Sequence, residues 1–251
     1  MSALLIEWDG DVLRVTLARA ERRNAFDAAL IAELAEAFVD IGRARAVVLA
    51  GEGPSFSAGA DVDWMRSSVD LSYEENVADA MGLRRMLEAI DGCPAPVVAS
   101  VQGHALGGGC GLVACSDVAV AAPDAVFAFS EVKLGLVPAV ISPFALAKIG
   151  PSAARRYFLT GERFHAETAL RIGLVHEVAA DLDAAVERVL AELRTAGPRA
   201  VRAAKRLVLD APLDAKETAR RIAERRTSQE GQEGLRAFLE RRRPSWVPER
   251  E

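Results

Sequence analysis

Three stretches of the chain carry residues whose types and spacing could do chemistry. The first is Gln102-Gly103-His104-Ala105-Leu106-Gly107-Gly108-Gly109-Cys110-Gly111, with three consecutive glycines at its centre. Glycines at the start of a helix leave its first N–H groups uncovered, and the helix dipole favours negative charge beside them. Main chain alone could therefore hold an oxyanion. The second is Gly51-Glu52-Gly53-Pro54-Ser55-Phe56-Ser57-Ala58-Gly59-Ala60-Asp61, another loop of small residues with accessible backbone. One donor from each loop could meet on a single oxygen. The third is Phe127-Ala128-Phe129-Ser130-Glu131-Val132-Lys133-Leu134-Gly135-Leu136-Val137-Pro138, where Glu131 sits in a mostly apolar run. A carboxyl group in such surroundings has a raised pKa and can pass a proton. A glycine-rich turn also serves close packing, so neither loop is specific alone. The glycines lack the G-x-G-x-x-G spacing of a dinucleotide site, and no Gly-Lys-Ser/Thr follows them as in a P-loop.

Strands must hold these loops in place. Ala46-Val47-Val48-Leu49-Ala50 precedes one loop and Pro96-Val97-Val98-Ala99-Ser100-Val101 the other, and both read as buried strands. Residues 4–8 and 12–17, split by Asp9-Gly10-Asp11, predict an opening β-hairpin. Asp27 is a candidate N-cap for a helix with an apolar stripe of Leu30, Ile31, Leu34, Phe38 and Ile41. Residues 62–71 start as a helical turn and then loosen. Residues 73–90 predict a helix whose stripe is Val77, Met81, Leu83, Leu87 and Ile90. Strands follow at 117–121 and 126–129, then a helix at 166–172, a strand at 173–178 and a helix at 182–193. From Gly197 onward the pattern is helical only, at 198–209, 213–228 and 233–243. The chain thus divides into a mixed α/β part, 1–196, and a helical region, 197–251.

In order and spacing, Phe56-Ser57-Ala58-Gly59-Ala60-Asp61, Gly103 through Gly109 and Ser130-Glu131-Val132-Lys133-Leu134-Gly135 resemble the enoyl-CoA hydratase/isomerase (crotonase) superfamily. The likeness runs from Arg22-Arg23-Asn24-Ala25 to Glu230-Gly231 and Phe238. It implies an α/β fold: a crotonase-like spiral of ββα units with a C-terminal helical trimerisation region. It implies an acyl-CoA thioester as substrate, and homotrimers that pair into hexamers. It further implies a thioester enolate held by two backbone N–H groups, at Ala58 and Gly108, with Glu131 as the catalytic carboxyl. Arg22, Arg23, Ala25, Ala58, Gly59, Ala60, Asp61, Gly108, Phe238 and Arg241 would contact the CoA ester, the aromatic and basic pair sometimes from a neighbouring subunit. Arg22 and Arg23 equally suit a solvated turn, and Arg241-Arg242-Arg243 a solvated face. Trp64 and Met65 suit either the acyl pocket or the core. Coenzyme A belongs to the substrate, so the resemblance implies no separate cofactor and no metal.

One position departs from the family pattern. Its hydratases usually carry a second glutamate two residues after the glycine triplet, where this chain has Gly111. A single carboxylate suits a single-glutamate hydratase. It also suits an isomerase that takes a proton at C2 and returns it at C4. A family member that binds acyl-CoA without catalysis is the third possibility. The run from Glu131 to Pro143, with Cys110-Gly111-Leu112, is most similar to bacterial methylglutaconyl-CoA and isohexenylglutaconyl-CoA hydratases of leucine and terpene catabolism. Their substrates carry an extra carboxylate, which asks for a basic or hydroxyl group in the acyl pocket. Lys133 and Ser142 are nearest in sequence, although Lys133 also suits a strand end and Ser142 a helix N-cap. His104 and Ser57 lie in no nucleophile-elbow motif, which argues against a hydrolase.

Bulk properties set the remaining bounds. The 251 residues are 51% hydrophobic, enough for a substantial core. A net charge of −5 argues against nucleic acid as the main partner. Cys93, Cys110 and Cys115 have no metal-ligand spacing and read as reduced thiols of a cytoplasmic protein. No apolar run is long enough to span a membrane, and no signal-peptide pattern opens the chain.

Overall fold

The computed structural model describes residues 3–247. The opening hairpin forms as expected: β1 (Leu4–Asp9) and β2 (Val12–Leu17) pair antiparallel. Helix α1 (Ala28–Val39) follows, with the Asp27 carboxylate accepting from the Leu30 N–H at 3.0 Å. Then come β3 (Ala46–Gly51), α2 (Val62–Ser67), α3 (Tyr73–Asp91) and β4 (Val97–Val101). The next two strands each open a repeat. After β4 the chain makes β5 (His104–Leu106) and α4 (Gly108–Cys115). After β6 (Val118–Ala121) it makes β7 (Val126–Ala128), a tight turn at Glu131–Leu134 and α5 (Ser142–Thr160). The remaining elements are β8 (Phe164–His165), α6 (Ala166–Arg171), β9 (Glu177–Val178), α7 (Leu182–Thr195), α8 (Pro198–Leu209), α9 (Ala215–Thr227) and α10 (Gln229–Leu239).

The strands sort into two sheets. One runs β1-β2-β3-β4-β6-β9, parallel throughout except for the β1–β2 hairpin. The other runs β5-β7-β8. Each repeat therefore places its first strand in the larger sheet and its second strand in the smaller one, then closes with a helix. Parallel strands covered on both faces need near-continuous apolar sequence. Strand β4 is buried at all five residues, which explains its run of Val and Ala.

Three expectations about helices need correction. The apolar stripe on α3 is only half used: Met86, Leu87 and Ile90 are buried, but Val77 and Met81 are each 46% exposed. Only the C-terminal half of α3 turns its stripe toward the core. Helix α5 is a long element that the residue pattern does not announce, because Gly150-Pro151 breaks its periodicity with a kink. Helix α10 begins at Gln229 rather than 233, since the Ser228 hydroxyl caps it by accepting from the Gly231 N–H at 3.1 Å.

The final helices are fastened to the sheet by buried polar contacts. Lys205 of α8 donates to the Asp117 carboxylate at 2.7 Å, and the same oxygen accepts from the Val97 N–H at 2.7 Å. The Lys205 side chain is only 5% exposed. Removing it strands a partly buried carboxylate. A Lys205→Ala variant is expected to lose about 2–4 kcal/mol, lowering the melting temperature by roughly 5–10 °C. Thermal melts followed by circular dichroism check this; an unchanged midpoint sinks it.

Candidate active site

The two small-residue loops are stitched together by strand-like backbone pairing. Strand β4 ends at Val101, and Gly103 (φ 57°) turns the chain into β5. A Cβ at Gly103 would lie 1.9 Å from the Pro54 carbonyl oxygen, so only glycine lets the loops approach this closely. Ser57 then adds itself beside β5: its N–H donates to the His104 carbonyl at 2.9 Å, and Leu106 N–H donates to the Ser57 carbonyl at 3.0 Å. Gly107 N–H donates to Ala128 O at 2.8 Å and passes the chain into α4. The Gly108 N–H is the first of the helix and has no acceptor among the described residues.

The partner donor is not the one that sequence position suggests. Ala58 N–H donates to the Arg23 carbonyl at 2.9 Å, so it is already used inside the protein. Ala60 differs. Phe26 pairs with it in a parallel bridge, in which Phe26 N–H donates to Gly59 O at 2.8 Å and Asp61 N–H donates to Phe26 O at 2.9 Å. In that pattern the bridged residue's own N–H points away from its partner strand. Ala60 N–H accordingly donates to no described group, and Ala60 lines a cavity together with Gly108. Of the two, the N–H left free beside the cavity is that of Ala60 and not of Ala58, because backbone alternation turns one N–H inward and the other out.

Glu131 faces the same cavity, which measures about 320 Å³. It opens the turn after β7, and its Oε2 is buried without a hydrogen-bond partner. Burial pushes its pKa above the ordinary glutamate range, with only its own backbone N–H opposing the shift. A Cβ at Gly107 would lie 3.4 Å from Glu131 Oε1, so the first glycine of the triplet also leaves room for the carboxyl. Trp64 and Met65, from α2, line the cavity too.

The remaining sequence candidates scatter. Gly59 and Ala58 line the cavity, but Arg22, Arg23, Ala25 and Asp61 do not. The Arg22 guanidinium donates to Asp61 at 2.9 Å and holds that carboxyl below the usual range, while Asp61 caps α2 through the Asp63 N–H. Asp61 is thus spent on holding the loop. Phe238 is 81% exposed, and neither it nor Arg241 reaches the cavity within one chain. Lys133 and Ser142 also lie outside it; the Ser142 hydroxyl donates to Ala139 O at 2.8 Å. The described cavity therefore has no cation for an acidic acyl tail. His104, His165 and His176 are absent from its wall, and among the described residues no cluster could hold a metal ion.

Gly111, where a second glutamate would stand, is packed shut. A Cβ there would meet Ile141 Cγ2 at 2.7 Å and Leu87 Cδ2 at 3.4 Å. Glu131, against Gly107, is left as the carboxyl at the glycine end of the cavity. Sequence reasoning misses Asp79, Leu83 and Ala80 of α3, which also line the cavity. The helical repeat could have flagged Asp79, since it is spaced by four from Leu83 on the same face.

Gly108 has its own steric requirement: a Cβ would lie 2.6 Å from two ring carbons of Phe26. A Gly108→Ala variant is expected to tilt the donor and cost about 10²-fold in turnover of an enoyl-CoA. Pairing it with Phe26→Leu should restore part of that loss. Steady-state rates for the single and double variants test the pair; equal rates for wild type and Gly108→Ala refute it.

Comparison with known proteins agrees with this architecture. Residues 7–249 match the enoyl-CoA hydratase/isomerase family. A crystal structure of an enoyl-CoA hydratase from Shewanella pealeana superposes with a TM-score of 0.93 at 41% identity, covering 98% of this chain and 96% of that one. Pseudomonas aeruginosa AtuE superposes with a TM-score of 0.94 at 39% identity, covering 98% of this chain and 100% of that one. Among curated proteins, cyclohexa-1,5-dienecarbonyl-CoA hydratase from Thauera aromatica is 33% identical over 253 residues, 96% of this chain and 95% of its own length. By sequence and by fold, this chain belongs to the enoyl-CoA hydratase/isomerase family.

Proposed function

We infer that the chain hydrates a 2-enoyl-CoA thioester, with Glu131 as its one catalytic carboxyl. The observation that carries this is the buried, unpartnered Glu131 Oε2 in a cavity shared with the free N–H groups of Ala60 and Gly108. The thioester oxygen sits between the two N–H groups. Glu131 takes a proton from water as the water oxygen bonds to C3. The double-bond electrons move onto the thioester oxygen as an enolate, which the two donors stabilise. Glu131 then delivers its proton to C2, and the enolate collapses to the 3-hydroxyacyl product. No cofactor beyond the substrate's own CoA is required.

The exposed Arg22 and Arg23 beside the loop suit contacts to the CoA nucleotide. Phe238 and Arg241 suit the same task from a neighbouring subunit, with residues 197–251 as the assembly element of a homotrimer or dimer of trimers. Three buried, unpaired thiols suit a reducing compartment such as the cytoplasm. No described helix is long and apolar enough to cross a membrane.

Ile141 in the place of a second carboxylate favours one alternative, a 3,2-enoyl-CoA isomerase in which Glu131 shuttles a proton between C2 and C4. Purified protein is mixed separately with crotonyl-CoA, 3-methylglutaconyl-CoA and a 3-enoyl-CoA, and the conjugated enoyl-thioester absorbance is followed. Loss with crotonyl-CoA supports hydration. Gain with the 3-enoyl ester and no loss elsewhere assigns isomerisation. Binding without any change leaves an acyl-CoA-binding protein.

A further inference from the structure

The cavity wall built by α2, α3 and the turn between them leaves more side-chain acceptors than donors open. Its donors are all used inside the protein. Trp64 Nε1 donates to Asp79 Oδ1 at 3.3 Å. The Ser68 hydroxyl donates to Met65 O at 2.8 Å, and the Asn76 amide donates to Leu71 O and Ser72 O, each at 3.0 Å. What remains open is an acceptor. Asp79 Oδ2 takes no hydrogen bond and no ion pair from any described residue and is open to solvent, and Asp79 lines both this cavity and a neighbouring one that also holds Arg85. Among the described residues, the charged ones on the lining are Asp79 and Glu131, both acidic, with no Lys or Arg among them.

We propose that Asp79, oriented by Trp64, is a specificity-determining residue that accepts a hydrogen bond from a hydroxyl on the acyl tail and turns away tails carrying a carboxylate. The inference rests on the acyl-CoA reading above. A carboxylated tail would bring a further negative charge into a partly enclosed space and meet no cation on the described lining and no free side-chain donor on this wall; the hydroxyl left free on the lining, Ser130, stands beside Glu131. A hydroxylated tail supplies the donor that Asp79 lacks, and a hydrogen bond to a charged acceptor is among the stronger neutral-to-ion contacts. The substrate class is therefore a hydroxylated enoyl-CoA rather than a dicarboxylic one such as 3-methylglutaconyl-CoA.

Binding of unreactive saturated esters tests this without relying on turnover. Hexanoyl-CoA, 6-hydroxyhexanoyl-CoA and adipoyl-CoA are titrated calorimetrically into the whole protein. The four-carbon counterparts are titrated as well, to sample a second depth. For the wild type, the hydroxylated ester of at least one length is expected to bind about tenfold tighter than the plain ester, and the dicarboxylic ester about tenfold weaker. Asp79→Leu should collapse both differences. Asp79→Asn keeps an acceptor oxygen, so it should retain the hydroxyl preference and lose the discrimination against carboxylate. Ratios within one variant cancel differences in folded fraction. Adipoyl-CoA binding as tightly as hexanoyl-CoA, or Asp79→Leu leaving the ratios unchanged, overturns the proposal while leaving the enzyme reading intact. Normal ester preferences without turnover of any enoyl-CoA overturn the enzyme reading alone. No binding of any ester overturns both.

Discussion

Glu131→Gln is expected to lower enoyl-CoA hydration by about 10²–10⁴-fold while leaving CoA-ester binding nearly unchanged. The amide keeps the shape of the carboxyl but can neither take a proton from water nor return one to C2. The same substitution should not destabilise the fold. Burial raises the Glu131 pKa, so the folded chain holds this proton to higher pH than the unfolded chain does. That contribution to stability is fully present below the unfolded pKa and is lost as pH rises through the folded one. Above the folded pKa the ionised group therefore opposes folding, and there Glu131→Gln should melt no lower than wild type. Activity has the opposite dependence, since the reaction begins from the carboxylate. The rate should fall as pH drops through the Glu131 pKa, with its acid limb above the ordinary glutamate range. Rate profiles and melts on the same two proteins check both signs. A variant that hydrates at the wild-type rate, or that loses ester affinity in parallel with rate, removes Glu131 from the chemistry.

Gly111→Glu, the change that would recreate a two-glutamate pattern, is expected to abolish folding instead of improving hydration. The new Cβ would lie 2.7 Å from Ile141 Cγ2 and 3.3 Å from Ile141 Cβ, inside a fully packed helix interface. Overpacking of this kind costs about 1–3 kcal/mol. A buried, unpaired carboxylate adds several more. The sum rivals the whole stability of an ordinary domain, about 5–15 kcal/mol. Gly111→Ala isolates the steric part and should lower stability by about 1–3 kcal/mol. Ile141→Ala is itself destabilising because it empties a core position, but in that background the added cost of Gly111→Ala should largely vanish, because the colliding methyl groups are gone. Denaturant unfolding of the two single variants and the double variant gives the coupling directly. Additive losses would mean that Ile141 is not what fills the second-glutamate position.

The sequence by itself determined most of the scaffold. Runs such as Val97–Val101 are apolar throughout because parallel strands covered on both faces have no solvent side to encode. Caps such as Asp27 and the α8 start at Pro198 are local, so they are legible locally. The identity of Glu131 as the buried carboxyl follows from its apolar neighbours in the chain. Only the tertiary structure decided the rest. Which N–H faces the cavity depends on pairing with Phe26 across the bridge at Ala60, a contact between residues far apart in sequence. Whether Gly111 is an open position depends on Ile141, thirty residues further on at the N-cap of α5. Whether Phe238 meets the site is likewise not written in its local sequence: in this chain it is exposed and does not reach the cavity. Residue types set which groups can donate, accept or fill space. The direction of a backbone N–H and the occupancy of a gap are set by neighbours that the linear order does not name.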